Sequence, residues 1–111
     1  MSLPSIRFDP RFIQWIQQHQ KRATTRLSAE ESSELQPGSL CNAVNAVDDT
    51  VFAQLRITQI IALNFADIDD ELARIENCKD SEELKQLLQV FYPNITDSTE
   101  LKVYHFQCIS Q

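Results

Sequence analysis

The segment from Lys21 to Arg26 brings an amine, a hydroxyl and two guanidinium groups together within six residues. Thr24 follows Lys21 by three positions, which places a candidate nucleophile near a candidate base. Lys21, Arg22 and Arg26 are three of the ten basic residues in a chain with a net charge of -6. Such a cluster is typical of a pocket wall that binds a polar, planar or anionic ligand, although Lys-x-x-Thr alone is also common on plain surfaces.

Positive charge is concentrated at the N-terminal end of an otherwise acidic chain. Up to position 26 the sequence holds a single acid, Asp9, and half of the basic residues. These are Arg7, Arg11, Lys21, Arg22 and Arg26. The sixteen acids of the chain argue against a long nucleic-acid interface, because such interfaces depend on neutralising phosphates. A local basic site on an acidic body instead indicates a small ligand.

Length and composition predict a single soluble domain over residues 1–111. The only glycine is Gly38, which excludes glycine-rich phosphate loops and dinucleotide-binding fingerprints. Three widely spaced cysteines, Cys41, Cys78 and Cys108, include no CxxC pair, so we expect reduced thiols and neither a disulfide framework nor a zinc site. No leader sequence or membrane-spanning stretch is visible, and a cytoplasmic protein is expected.

The first part of the chain predicts a short edge strand followed by a short helix. Ile6-Arg7-Phe8 fits the strand, and Asp9-Pro10 is typical of an N-cap followed by the first helical residue. One helical face then carries, at i, i+3, i+4 and i+7, Phe12, Trp15, Ile16 and His19. We expect His19 to pack on this face or to cap the last helical turn.

Four segments have the β-branched or alternating patterns of strands. They are residues 21–27, 40–47, 51–58 and 101–109. A polar loop with a Pro37-Gly38 turn separates the first two, and Asp48-Asp49-Thr50 predicts a hairpin turn between the next two.

Two helices are predicted between the third and fourth strands. The first begins near Asn64 or Asp67, and the second begins after a capping box formed by Asp80 and Glu83. Tyr92-Pro93-Asn94 ends the second helix. Because little helix lies between the strands, the pattern favours an α+β domain built around a small curled sheet or barrel.

The order of several motifs resembles a known family. Lys21-Arg22-Ala23-Thr24-Thr25-Arg26 resembles the Lys-x-x-Thr-x-Arg signature of small ASCH-domain proteins, and more narrowly that of the bacterial N(4)-acetylcytidine amidohydrolases. The features that follow in the same order as in that family are Pro37-Gly38 before a strand, Glu76-Asn77, Glu83-Leu84-Lys85 in a helix, the helix stop Tyr92-Pro93, and the last strand from Val103 to Cys108. The resemblance covers nearly the whole chain.

The resemblance implies a fold, an activity and site residues. The family's fold is a small PUA-like β-barrel flanked by helices, so the chain would be a single ASCH domain. Its members hydrolyse N(4)-acetylcytidine to cytidine and acetate, with no metal or other cofactor. Their catalytic lysine, threonine and glutamate correspond to Lys21, Thr24 and Glu76. We expect Arg26 and Arg22 to bind the substrate.

The implied chemistry is reasonable for these residue types. Thr24 would attack the acetyl carbonyl and form an acetyl-enzyme, provided that a base takes its proton. Lys21 can be that base only where burial or a neighbouring cation favours the neutral amine. Glu76 would protonate the departing exocyclic nitrogen and then assist the attacking water. The expected protein is a monomer that acts on a small-molecule nucleoside, with RNA as a second candidate partner and no membrane partner.

One residue at the predicted site departs from the family's pattern. His19 stands where the family usually has glycine, and a turn that needs a positive φ would be strained by histidine.

Two alternative functions are a non-catalytic RNA- or nucleotide-binding module and an ASCH ribonuclease, both disfavoured by the net negative charge. Replacing Thr24 with alanine would abolish turnover in the hydrolase but leave RNA affinity intact in a binding module.

Overall fold

The structure, a computed structural model, describes residues 3–30 and 34–110. The described strands are β1 (Ser5–Phe8), β2 (Ala23–Leu27), β3 (Leu40–Asn45), β4 (Val51–Asn64) and β5 (Glu100–Ser110). The described α-helices are α1 (Ile13–Gln17), α2 (Asp70–Ile75) and α3 (Ser81–Phe91). Short 3-10 turns cover Pro10–Phe12, Ser28–Glu30 and Phe65–Asp67. The α+β prediction is therefore confirmed.

The five strands form one mixed sheet in the order β1-β3-β4-β5-β2. β1 runs parallel to β3, with Ile6 opposite Ala43, and the other neighbours are antiparallel. The sheet is not closed, because β1 and β2 remain its two edges. A side chain nevertheless connects these edges: Nη2 of Arg26 in β2 donates a hydrogen bond to the carbonyl of Arg7 in β1, at 2.6 Å. The arrangement is barrel-like, with an open seam between β1 and β2.

The long strand β4 departs from the predicted boundary. It continues to Asn64, six residues past the predicted end at residue 58. Its register with β5 shifts between Ile57 and Gln59, so Thr58 is an extra residue that interrupts the alternation while pairing continues. The predicted start of the next helix, near Asn64 or Asp67, is therefore wrong. That region is a strand end and a 3-10 turn, and α2 begins only after Asp69 caps it.

Most helix termini follow the predicted capping chemistry. Asp9 accepts a hydrogen bond from the backbone N–H of Arg11 at 2.9 Å and caps the 3-10 turn that leads into α1. Asp80 likewise accepts from the N–H of Glu83 at 2.9 Å and caps α3, which ends before Tyr92 as predicted. The expected role of His19 is wrong, because α1 ends at Gln17 and His19 lies beyond it, exposed and with a φ of 62°.

Two apolar clusters stabilise the sheet. The first packs α1 and its preceding turn against β1, β3, β4 and β5, and its fully buried members include Phe8, Ile16 and Leu55. The second packs α2 and α3 against the distal ends of β4 and β5, around Leu84 and Leu101. The first cluster fixes α1 and the second fixes α2, so together they set the positions of the residues that follow these two helices.

Two of the cysteines are thiols buried in these clusters. Cys41 lies in β3 within the first cluster, and Cys78 lies after α2 within the second. Burial raises the pKa of each thiol to about 11, so both are protonated at neutral pH. All three cysteines are free thiols, and Cys108 in β5 is half-buried. No helix in the described part of the chain combines the length and apolarity needed to cross a bilayer.

Candidate functional site

A cavity of about 310 Å³ lies at the open seam of the sheet. Its polar wall comes from the two edge strands and the residues beside them, and its apolar wall comes mainly from α3 and the turn before α1. The polar lining residues are Arg7, Asp9, Lys21, Thr24, Thr25, Arg26 and Glu76. The remaining lining residues are Phe12, Ala46, Leu84, Leu87, Leu88, Phe91 and Tyr92. A planar ring with polar edges has complementary surfaces on both sides of this cavity.

The turn after α1 brings Lys21 to the cavity. The positive φ of His19 reverses the chain, and the N–H of Lys21 then donates to the carbonyl of Trp15 at 3.0 Å. The next residue is held by α2, because the N–H of Arg22 donates to the carbonyl of Ile75 at 2.9 Å. Lys21 therefore lies next to the C-terminal end of α2, although the two segments are more than fifty residues apart in sequence.

Glu76 caps that end of α2 and is buried, with 2% of its surface exposed. Its Oε1 accepts a hydrogen bond from Nζ of Lys21 at 2.8 Å, and its Oε2 accepts one from the hydroxyl of Thr25 at 2.5 Å. Lys21 is 3% exposed, and its Nζ also lies 4.7 Å from the centre of the Phe12 ring. An ion pair removed from water in this way is strongly coupled, because little solvent screens it.

Thr24 is paired with a different cation. Nε of Arg26 donates a hydrogen bond to Oγ1 of Thr24 at 3.0 Å, and the guanidinium lies over the Phe8 ring, 5.0 Å from its centre. Because arginine cannot accept a hydrogen bond, the Thr24 oxygen is the acceptor here and its own proton is directed elsewhere. A fixed positive charge beside this oxygen also favours negative charge developing on it.

The neighbouring residues Thr24 and Thr25 both reach the cavity because β2 is an edge strand. Successive side chains of a strand point to opposite faces of its sheet. Thr24 and Arg26 share one face with Phe8, whereas Thr25 lies on the other face with Glu76. A cavity at the sheet edge is lined from both faces, which unites the Lys21–Glu76–Thr25 cluster with the Thr24–Arg26 pair.

The structure places four of the five predicted site residues around one cavity: Lys21, Thr24, Arg26 and Glu76. Arg22 is exposed and is not among the residues that line the cavity. Thr25 was not predicted as a site residue. The alternation of a strand assigns it to the face opposite Thr24, so only knowledge that β2 is an edge strand would have included it.

The positive charges at the N-terminal end are largely paired with acids. Arg7 forms an ion pair with Asp49, and Arg11 lies 3.1 Å from a carboxylate oxygen of Asp9. Three cations and two anions line the cavity. Such a balance suits an uncharged polar ligand better than a polyanion. Among residues 3–30 and 34–110, no group of three or more His, Cys, Asp or Glu side chains is arranged to hold a metal ion.

Comparison with known proteins identifies the fold. No protein-family model and no curated protein sequence matches the chain. Among solved structures, it is similar to an ASCH domain from Lactobacillus crispatus, with 17% identity, a TM-score of 0.84 and coverage of 99% of this chain and 81% of that one. It is also similar to a protein from Enterococcus faecalis, with 14% identity, a TM-score of 0.77 and coverage of 99% and 78%.

A third similar structure is an ASCH protein from Zymomonas mobilis. It shares 11% identity with a TM-score of 0.69, and the alignment covers 94% of this chain and 68% of that one. The chain therefore has the fold of ASCH domains, as the sequence motifs predict.

Proposed function

We propose that this chain is an amidohydrolase that converts N(4)-acetylcytidine to cytidine and acetate. The proposal rests on one observation above all: a buried Lys21–Glu76 pair and the hydroxyl of Thr24 line the same cavity. These are the groups that acyl transfer through an alcohol requires, namely a nucleophile, a base and a proton donor. The ASCH fold and the Lys-x-x-Thr-x-Arg segment support the same assignment.

In the first step, Oγ1 of Thr24 attacks the acetyl carbon and its proton passes to a neutral amine on Lys21. The amide C–N bond then breaks, and the exocyclic nitrogen of cytosine takes the carboxylic acid proton of Glu76. Cytidine leaves, and an acetyl ester remains on Thr24. Lys21 is now an ammonium and Glu76 a carboxylate, so the pair holds the same number of protons as before the step.

The reactive starting form is the one in which the proton shared by Lys21 and Glu76 lies on the carboxyl group. Their 2.8 Å contact allows the proton to move between them without passing through solvent. The pair thus supplies base and acid together.

In the second step, a water molecule attacks the acetyl ester and gives its proton to the Glu76 carboxylate. The ester C–O bond breaks, and the Thr24 oxygen recovers a proton from the Lys21 ammonium. Acetate leaves after giving up its acidic proton to solvent, and the neutral pair is restored. Arg26 stabilises the negative charge on the threonine oxygen in both steps, since its Nε already lies 3.0 Å from that oxygen.

The proposal is tested by following N(4)-acetylcytidine conversion by absorbance with purified wild-type protein. We expect turnover by the wild type and a loss of at least about 100-fold in Lys21→Ala, Thr24→Ala and Glu76→Ala, since each removes a reacting group. Lys79→Ala is the matched control, because its side chain is exposed and is not among those that line the cavity. Circular dichroism would verify that every variant is folded.

Detection of the intermediate separates this mechanism from direct attack by water. A rapid acid quench during turnover, followed by mass spectrometry, should find one acetyl group on the peptide that contains Thr24. Absence of turnover, combined with salt-dependent RNA binding that survives Thr24→Ala, would instead establish a non-catalytic RNA-binding module.

A further inference from the structure

We infer that Thr25 is a positioning residue that holds the Glu76 carboxylate in line with Lys21. This inference rests on the proposed function, because it assigns Thr25 a part in that reaction. The Thr25 hydroxyl donates to Oε2 of Glu76 at 2.5 Å, and it is 4% exposed. Thr25 lies on the opposite face of β2 from Thr24, so its contact is with the acid and not with the nucleophile.

The Glu76 carboxylate needs this contact because the backbone of Glu76 does not by itself fix the rotation of the carboxylate group. Glu76 is the last residue of a helical turn, and its N–H is bonded to the carbonyls of Leu72 and Ala73. Those bonds position the Cα atom, but three side-chain torsions remain between that atom and the carboxylate oxygens. Lys21 holds one oxygen and Thr25 holds the other. Two donors on two oxygens define the plane of the carboxylate.

The location of Thr25 makes it a rigid partner. Its backbone is in β2, opposite Val103 of β5, and threonine has few side-chain conformers because it is β-branched. Lysine, by contrast, has a long flexible side chain. Thr25 therefore fixes the orientation of the Glu76 carboxylate, and the Lys21 side chain adjusts to that orientation. Proton exchange between Lys21 and Glu76 depends on this alignment.

The test compares Thr25→Val, which keeps the shape but lacks the hydroxyl, with Thr25→Ser, which keeps the hydroxyl. For Thr25→Val we expect kcat for N(4)-acetylcytidine to fall about 10- to 100-fold, the range typical of lost orienting hydrogen bonds, with KM changed less than about threefold. Thr25→Ser should restore kcat to within about fivefold of wild type. Thr58→Val, the same change at an exposed position of β4, is the control and should change neither constant.

Three kinetic results would overturn the inference: an unchanged kcat in Thr25→Val, a rise in KM at constant kcat, which indicates direct substrate contact, or no recovery in Thr25→Ser. Crystal structures provide a test that does not need activity. In Thr25→Val the Glu76 carboxylate should turn away from its wild-type position and lengthen its contact with Lys21, whereas in Thr25→Ser it should not. If the wild type fails to hydrolyse N(4)-acetylcytidine, the proposed function fails, and an unmoved Glu76 in Thr25→Val would separately refute the positioning role.

Discussion

Glu76 is a carboxylate with almost no contact with solvent, and its charge is compensated mainly by one lysine. Its two oxygens are bonded to Lys21 and Thr25, and the apolar residues of the second cluster surround the end of α2 that carries it. Removing one partner from such a pair leaves an uncompensated charge, whereas removing both partners does not. This difference can be measured by comparing the free energies of unfolding of the two single variants and the double variant.

We predict that Lys21→Met lowers the free energy of unfolding by about 3 to 5 kcal/mol, because it leaves Glu76 buried without its cation. The double variant Lys21→Met/Glu76→Gln should be less destabilised than the sum of the two single variants. Urea unfolding measures all three, with the exposed Lys79→Met as the control, expected within about 0.5 kcal/mol of wild type. Strictly additive losses would show that the two groups do not interact.

The buried thiols predict a specific loss of stability at high pH. Burial raises the pKa of Cys41 and Cys78 from 9.0 to about 11, so the folded state retains protons that the unfolded state releases between these values. Stability is therefore complete below pH 9 and falls as the pH rises towards 11, by at most about 1.4 kcal/mol per pH unit for each thiol. Urea unfolding of Cys41→Ala/Cys78→Ala should show a shallower decline than wild type, and equal slopes would contradict the prediction.

At the scale of elements, two left-handed residues flank the reactive pair. His19 lies two positions before Lys21 with a φ of 62°, and Asn77 directly follows Glu76 with a φ of 66°. Asparagine and histidine adopt this conformation more often than most residues, but it still costs both of them energy that glycine does not lose. The two turns deliver the lysine and the glutamate to one cavity, so backbone strain is located where the proposed chemistry takes place.

We predict that His19→Gly raises the free energy of unfolding by up to about 1 kcal/mol, because glycine adopts a positive φ without steric cost. Gln18→Gly is the matched control. Gln18 has a φ of -93°, so glycine there adds only flexibility to the unfolded chain and should destabilise. Thermal and urea unfolding of both variants test this, and destabilisation by His19→Gly would contradict it.

Elements with a local chemical signal were predictable, whereas the boundary between β4 and α2 was not. Asp9 and Asp80 cap helices because each offers its side chain to a nearby backbone N–H, and that chemistry is visible in a few residues. The extension of β4 past Thr58 depends on pairing with β5, some forty residues further along the chain. Long-range pairing of this kind overrides local periodicity and leaves no signal in the segment itself.

The whole molecule determines which side chains meet at the site. The motif order identified Lys21, Thr24, Arg26 and Glu76, and the structure brings these four to one cavity. Thr25 escaped prediction because its contribution depends on strand order, which sequence periodicity does not contain. The same limit applies to Arg22: its charge was evident from the sequence, but its exposure outside the cavity follows from backbone bonds to α2 and β5.

Arg26 spans the open seam, holding Thr24 in β2 with one nitrogen and the Arg7 carbonyl in β1 with another. β2 itself is paired with β5, the last described strand, so this contact requires both ends of the described chain to be in place. A partly folded chain carries Thr24 and Arg26 but lacks the Arg7 carbonyl that holds the guanidinium in place for the proposed reaction. The proposed activity would thereby depend on completed folding, and a chain without β1 or β5 in place would lack it.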